Sequence, residues 1–151
     1  METLTFSDKD LKFKLPFGMI ISGPSSSGKS TLLLKFISEA SDLIEPKPKS
    51  ILYCFGEMSN IVPALQKSGV SVYSVFVRVI TQKKSHHQNF AIVFVTQNLF
   101  ERKIKVARQN AQYIIIMRSP NSVLSVRNIG VQLFPRKLDY FLDAYRQATD
   151  K

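Results

Sequence analysis

Apolar positions fall into short runs separated by polar or small-residue connections. Phe17–Ser22 (FGMIIS) is almost wholly apolar and predicts a short buried strand. Ser30–Ala40 (STLLLKFISEA) places Leu33, Phe36, Ile37 and Ala40 at helical spacing and predicts a helix. Between them lies Gly23–Gly28, a loop of small residues. Glu45–Ser50 (EPKPKS) is breaker-rich and reads as a connection, and Ile51–Phe55 (ILYCF) as a second strand. Asn60–Lys67 predicts a short helix stopped by Gly69. Val70–Ile80 (VSVYSVFVRVI) is β-branched and aromatic, hence a strand by composition. A polar loop, Thr81–Asn89, precedes a strong buried strand at Phe90–Thr96 (FAIVFVT). Glu101–Gln109 is charged and carries no clear period. Tyr113–Met117 predicts another strand, and Asn121–Leu133 is compatible with a helix that Gly130 weakens. Leu138–Ala148 is amphipathic, with Leu138, Phe141, Leu142 and Tyr145 on one face. Near-continuous apolar strands alternating with helices predict an α/β fold, its sheet mostly parallel and flanked by helices.

Composition narrows the class. The 151 residues suit a single domain over 1–151, and 44% hydrophobic with 21% charged residues is globular rather than disordered. No apolar run approaches the ~18–20 residues of a membrane span. The segment METLTFSDKD has no apolar block, so a secreted protein is not expected. Cys54 is the lone cysteine, which excludes an internal disulfide and a cysteine-cluster zinc site. The expected setting is intracellular, cytoplasmic or nuclear. Charge adds a positive clue. Residues 1–75 hold 8 basic and 7 acidic residues, a net of +1, whereas residues 76–151 hold 13 and 4, a net of +9. A one-sided basic half suits a polyanion such as nucleic acid; a solvated basic surface without a partner is the alternative.

One motif carries chemistry. Gly23-Pro24-Ser25-Ser26-Ser27-Gly28-Lys29-Ser30 fits G-x-x-x-x-G-K-[ST], the phosphate-binding loop, and it follows a strand and opens a helix as that motif requires. Gly23 and Gly28 are expected in backbone conformations that side chains forbid. Successive N–H groups then form a nest for phosphate oxygens, and the helix N-terminus adds positive field. Lys29 can reach the β- and γ-phosphates, the Ser30 hydroxyl is placed for Mg²⁺, and Thr31 lies in the first helical turn. ATP with Mg²⁺ is the expected ligand.

A hydrolase of this kind also needs an apolar strand ending in an acid that holds Mg²⁺. Val70–Ile80 is followed by Thr81 and Gln82, Phe90–Val95 by Thr96-Gln97-Asn98, and Tyr113–Met117 by Arg118. Only Ile51–Phe55 is followed by an acid, Glu57, in a poor position directly after the loop's helix.

The pieces PFGMIISGPSSSGKST, SHHQNFAIVFVTQNLF and RNIGVQLFP, in that order, resemble the poxvirus-type DNA-packaging ATPases of the FtsK/HerA superfamily. The versions carried by Maverick/Polinton transposons look nearest, and the resemblance covers about residues 13–149. It implies a P-loop NTPase fold, double-stranded DNA contacted without sequence preference through the basic half, and a homo-oligomeric ring. It implies further that Gln97, with Asn98 beside it, senses the γ-phosphate. It also implies an arginine supplied by a neighbouring subunit; Arg102, Arg108, Arg118 and Arg127 are candidates, with Arg108 and Arg127 in the stretches that most resemble the family. Family members carry a further strand ending in two acids before the Ser-His-His segment. Val70–Thr81 is too short for a strand, a crossover and that acidic strand. The resemblance therefore implies a stretch missing near Ser74–Ile80, a sheet lacking one central strand, and impaired hydrolysis.

Competing readings are a nucleotide- or nucleic-acid-binding module without turnover, and a small nucleotide kinase, for which no Arg-rich lid is evident. His86 and His87 are adjacent and read as a polar loop rather than metal ligands. Cys54 reads as an inert core residue.

Overall fold

The computed structural model describes residues 12–47, 51–54, 62–67, 71–73 and 91–150. Seven strands run in chain order: β1 Phe13–Lys14, β2 Phe17–Ser22, β3 Ile44–Glu45, β4 Ile51–Cys54, β5 Ser71–Tyr73, β6 Ala91–Thr96 and β7 Tyr113–Ile116. The helices are α1 Lys29–Ser38, α2 Ala40–Leu43, α3 Val62–Lys67, α4 Lys105–Asn110, α5 Val123–Leu133 and α6 Leu138–Thr149. A 3₁₀ turn at Arg102–Ile104 leads into α4. The chain is thus α/β, with parallel strands flanked by helices. Among the described residues no helix is long and apolar enough to cross a membrane.

Five strands form one parallel sheet in the order β5-β4-β6-β2-β7. The central strands β2 and β6 are the two runs most fully apolar in sequence, and their backbones pair along the whole length from Phe17↔Ala91 to Ser22↔Thr96. Burial on both faces explains why neither shows polar alternation. One face packs Met19, Ile21, Ala91 and Val93 against Leu33 and Phe36 of α1. The other packs Ile20, Ile92 and Phe94 against Ala107 of α4 and Ile129 of α5. An aromatic group at the N-terminal end of β2 and β7, where Phe13 and Tyr113 lie 4.7 Å apart edge to face, closes the end of the sheet remote from the Gly23 loop.

Several expectations change in detail. The helix predicted over Ser30–Ala40 breaks at Glu39, and α2 restarts at Ala40. Glu45 is not purely connection: β3 forms a two-residue parallel ladder with β1. The periodless charged segment folds as the 3₁₀ turn and α4, which bury only Ala107 fully. One buried position is too weak a signal to give a period. The gap expected from a lost central strand is not seen. Each of β4, β6 and β2 has a neighbour on both sides, so the described sheet has no vacant slot. Glu57, His86, His87, Ser74–Ile80 and the loop Thr81–Asn89 lie outside the described residues.

Candidate functional site

The site grows from one backbone pair. Ser22 ends β2 and Thr96 ends β6, and they are register partners. The Gly23 N–H still donates to the Thr96 carbonyl at 3.2 Å, after which the two chains part. The first turns toward α1 on one face, and the second toward α4 on the other. Adjacent strands whose helices leave for opposite faces create the crevice where open α/β sheets bind ligands. The Gly23–Thr31 loop and Gln97 therefore share one crevice, although 66 or more residues separate them in sequence.

Within the loop, Ser26 (φ 61°) and Gly28 (φ 92°) are left-handed. Gly28 meets the expectation of a conformation that side chains disfavour. Gly23 does not have a positive φ and needs glycine for space instead. A Cβ there would lie 2.6 Å from Met117 Cβ and 2.7 Å from Ser27 Oγ. Lys29 opens α1 and folds back over the loop, its Nζ donating to the carbonyls of Gly23 and Pro24 at 2.6 Å each. Burial lowers the Lys29 pKa from its ordinary value. Bringing an anion to the loop would work in the opposite direction. Ser27 Oγ is sealed from solvent and has no hydrogen-bond partner. Such a buried orphan is costly unless a ligand or loop movement satisfies it. Ser30 is half-buried in the first turn of α1.

No group of three or more His, Cys, Asp or Glu side chains converges among the described residues. Mg²⁺ favours oxygen ligands and keeps several waters. Among the described residues the donors at the loop are hydroxyls and amides, Ser30 included, and they do not form a free-standing metal cage.

The loop after β6 is built differently. Thr96 Oγ1 accepts from the Asn98 N–H at 3.2 Å, and Asn98 Oδ1 accepts from the Phe100 N–H at 2.9 Å. Leu99 is buried in the core between them. Arg108 donates from Nη1 to the Leu99 carbonyl at 2.8 Å and stacks over Phe100 at 4.7 Å. Its guanidinium is thus engaged within its own chain, unlike the exposed Arg102, Arg118 and Arg127. Gln97 is exposed at the crevice, and Asn98 is committed to the turn.

Other residues of the site had no motif to announce them. Met117 follows β7, donates its N–H to the Ser22 carbonyl at 2.8 Å and packs against the loop glycines. Tyr145 of α6 braces that segment, donating to the Met117 carbonyl at 3.1 Å and accepting from the Ser119 N–H at 2.9 Å. A cleft of about 140 Å³ opens beside the loop, rimmed by Ser22, Gln97, Asn98, Ser119, Ser122 and Ser125. The amphipathic face of α6 predicted Tyr145 as a packing residue, and its hydroxyl was the one available signal of a second role.

No protein-family model matches the chain, and neither a curated protein nor a solved structure matches it.

Proposed function

We propose that the chain binds Mg-ATP on Gly23–Thr31, with Gly23, Pro24, Ser25, Ser26, Ser27 and Gly28 supplying the cradle and Lys29 the charge. In this reading it is a P-loop protein akin to DNA-translocating ATPases, and it binds ATP better than it hydrolyses it. The supporting observation is the crevice itself. A loop with left-handed Ser26 and Gly28, bent back on Lys29, stands beside exposed Gln97 at the end of the neighbouring strand. On binding, the Lys29 ammonium would exchange the Gly23 and Pro24 carbonyls for phosphate oxygens. Ser30 would complete the Mg²⁺ shell, and Gln97 would face the terminal phosphate. When bound, Mg²⁺ would neutralise charge on the phosphates.

Weak turnover follows from the donor set. Loop amides and Lys29 stabilise substrate and transition state alike, and uniform binding does not raise the chemical rate. A water-positioning carboxylate typically contributes about 10²–10⁴-fold. The test is steady-state ATP turnover with and without double-stranded DNA, using Lys29→Ala as blank. Slow turnover with intact ATP binding is expected. Turnover of about 1 s⁻¹ or faster, abolished in the blank, would contradict it.

Double-stranded DNA is the proposed partner, contacted through phosphates, and a homo-oligomeric ring is the proposed assembly, with Arg127 a candidate to face a neighbour's nucleotide. Exposed Arg102, Lys103, Lys105, Arg118, Arg127, Arg136 and Lys137 support an anionic partner. Each phosphate contact should add about −0.9 to the slope of log affinity against log salt. A salt-independent affinity would exclude this mode.

A further inference from the structure

The cleft beside the loop has its own chemistry, and three observations bear on it. First, Ser22 and Ser119 line it while only 6% and 9% exposed, yet neither hydroxyl has a hydrogen-bond partner among the described residues. Ser27 Oγ is the sealed orphan, so the Ser22 and Ser119 oxygens keep an opening, and the cleft they line provides it. Second, the rim includes the start of the eleven-residue helix α5. Ser122 is its N-cap but makes no side-chain cap, and the first helical bond is Val126 N–H to the Ser122 carbonyl. The amides of Val123, Leu124 and Ser125 thus have no backbone acceptor among the described residues, and no acid sits in that turn. Such a turn is electropositive. Third, no carboxylate among the described residues lines the cleft, and between Ala91 and Leu138 the sequence has Glu101 as its single acid against eight basic residues.

The local fold explains why these donors stay free. Ser119-Pro120-Asn121-Ser122 forms a turn closed by Ser122 N–H to the Ser119 carbonyl at 3.1 Å, with proline at its favoured second position. Tyr145 takes the Ser119 N–H. Both devices satisfy backbone and leave the Ser119 hydroxyl unused.

We propose that this cleft is a second oxyanion site, taking a phosphate-sized group beside the Gly23–Thr31 loop. Its donors are neutral: the Ser22 and Ser119 hydroxyls, the Gln97 amide and, at the rim, Ser125 in the first turn of α5. Their number suits a tetrahedral oxyanion, which accepts several hydrogen bonds at once. A volume of about 140 Å³ holds such an ion with water around it and is small for an intact nucleotide. The inference deepens the reading of the loop as a nucleotide site and rests on it for its purpose: receiving phosphate cut from the nucleotide, or a phosphorylated acceptor from solution. The ligand chemistry is the same for both.

The test is an amide NMR titration of the full chain with inorganic phosphate, in the wild type and in Lys29→Ala. The amides of residues 123–125 should shift along their own binding curve, which Lys29→Ala leaves in place while weakening the curve of residues 23–29. Ser119→Ala and Ser22→Ala should each weaken the first curve by about fivefold, as for one lost hydrogen bond, with the rest of the spectrum reporting an intact fold. Repeating the titration with phenyl phosphate identifies the source: equal binding indicates an acceptor, and exclusion indicates released phosphate. Shifts confined to residues 23–29 would overturn the second site and leave the loop reading standing. Loss of both curves together in Lys29→Ala would also overturn it, and no shift in either group would overturn both.

Discussion

Two loops leave neighbouring strands from paired residues, and they use their polar groups in opposite ways. After β6, nearly every polar group is satisfied locally: Thr96 and Asn98 close turns, and Arg108 bonds the Leu99 carbonyl and covers Phe100. After β2, the loop leaves Ser27 Oγ orphaned and bends around a partly desolvated ammonium. A loop that satisfies itself is a fixed platform, and it carries Gln97. A loop with polar groups in need of partners is prepared for a ligand. The pairing Ser22↔Thr96 joins platform and receptor through the backbone.

This contrast can be broken from either side. The largest effect should come from Gly23→Ala, whose new methyl would meet Met117 Cβ and Ser27 Oγ well inside contact distance. Overpacking of this kind costs about 1–3 kcal/mol, measurable by urea unfolding, and Met117→Ala in the same chain should recover part of it. Arg108→Ala should cost about 1.5 kcal/mol, the low end of the range for a hydrogen bond from a charged group, because the side chain is only half-buried. Arg108→Lys should recover little, because a compact ammonium cannot both lie flat on Phe100 and reach the Leu99 carbonyl. A full recovery would mean that Arg108 acts through charge alone. Tyr145→Phe removes both hydrogen bonds to the Met117–Ser119 segment and should cost about 1 kcal/mol, with loosening of the loop read by amide hydrogen exchange at Gly23 and Gly28.

The smallest effect is the pH dependence of Lys29. Its pKa is lowered in the folded chain by burial, so between that value and the ordinary one the unfolded chain binds more protons. Stability of the free protein should therefore rise with pH across this alkaline window and be flat below it. Phosphate binding favours the charged amine, so affinity should fall across the same window. The difference between wild type and Lys29→Ala, in stability and in affinity, should be constant below this window and change with pH only across it.

The receptor loop was legible from sequence because its chemistry is local. Glycine at 28 answers a left-handed backbone, and lysine at 29 sits one residue on. The strands β2 and β6 were legible because burial on both faces leaves an unbroken apolar run. The cleft was not, because Ser22 and Gln97 meet the segment 119–125 only through strand order, which no local pattern encodes. Arg108 was a candidate to reach a neighbouring subunit, and its bond to the Leu99 carbonyl was not legible, since a side chain reaching back nine residues leaves no periodic trace. The β1–β3 ladder was too short to register, at two residues a side. The gapless strand order could not be foreseen either: whether β4 pairs directly with β6 is decided by packing across the whole sheet.

The most direct measurement is calorimetric titration of Mg-ATP into the wild type and Lys29→Ala. The account requires saturable binding to the wild type, weakened more than about tenfold in the variant, since a charge-assisted contact of ~1.5–3 kcal/mol is removed. Equal affinity in the two proteins, or no binding to the wild type, would contradict the reading of Gly23–Thr31 as a nucleotide site.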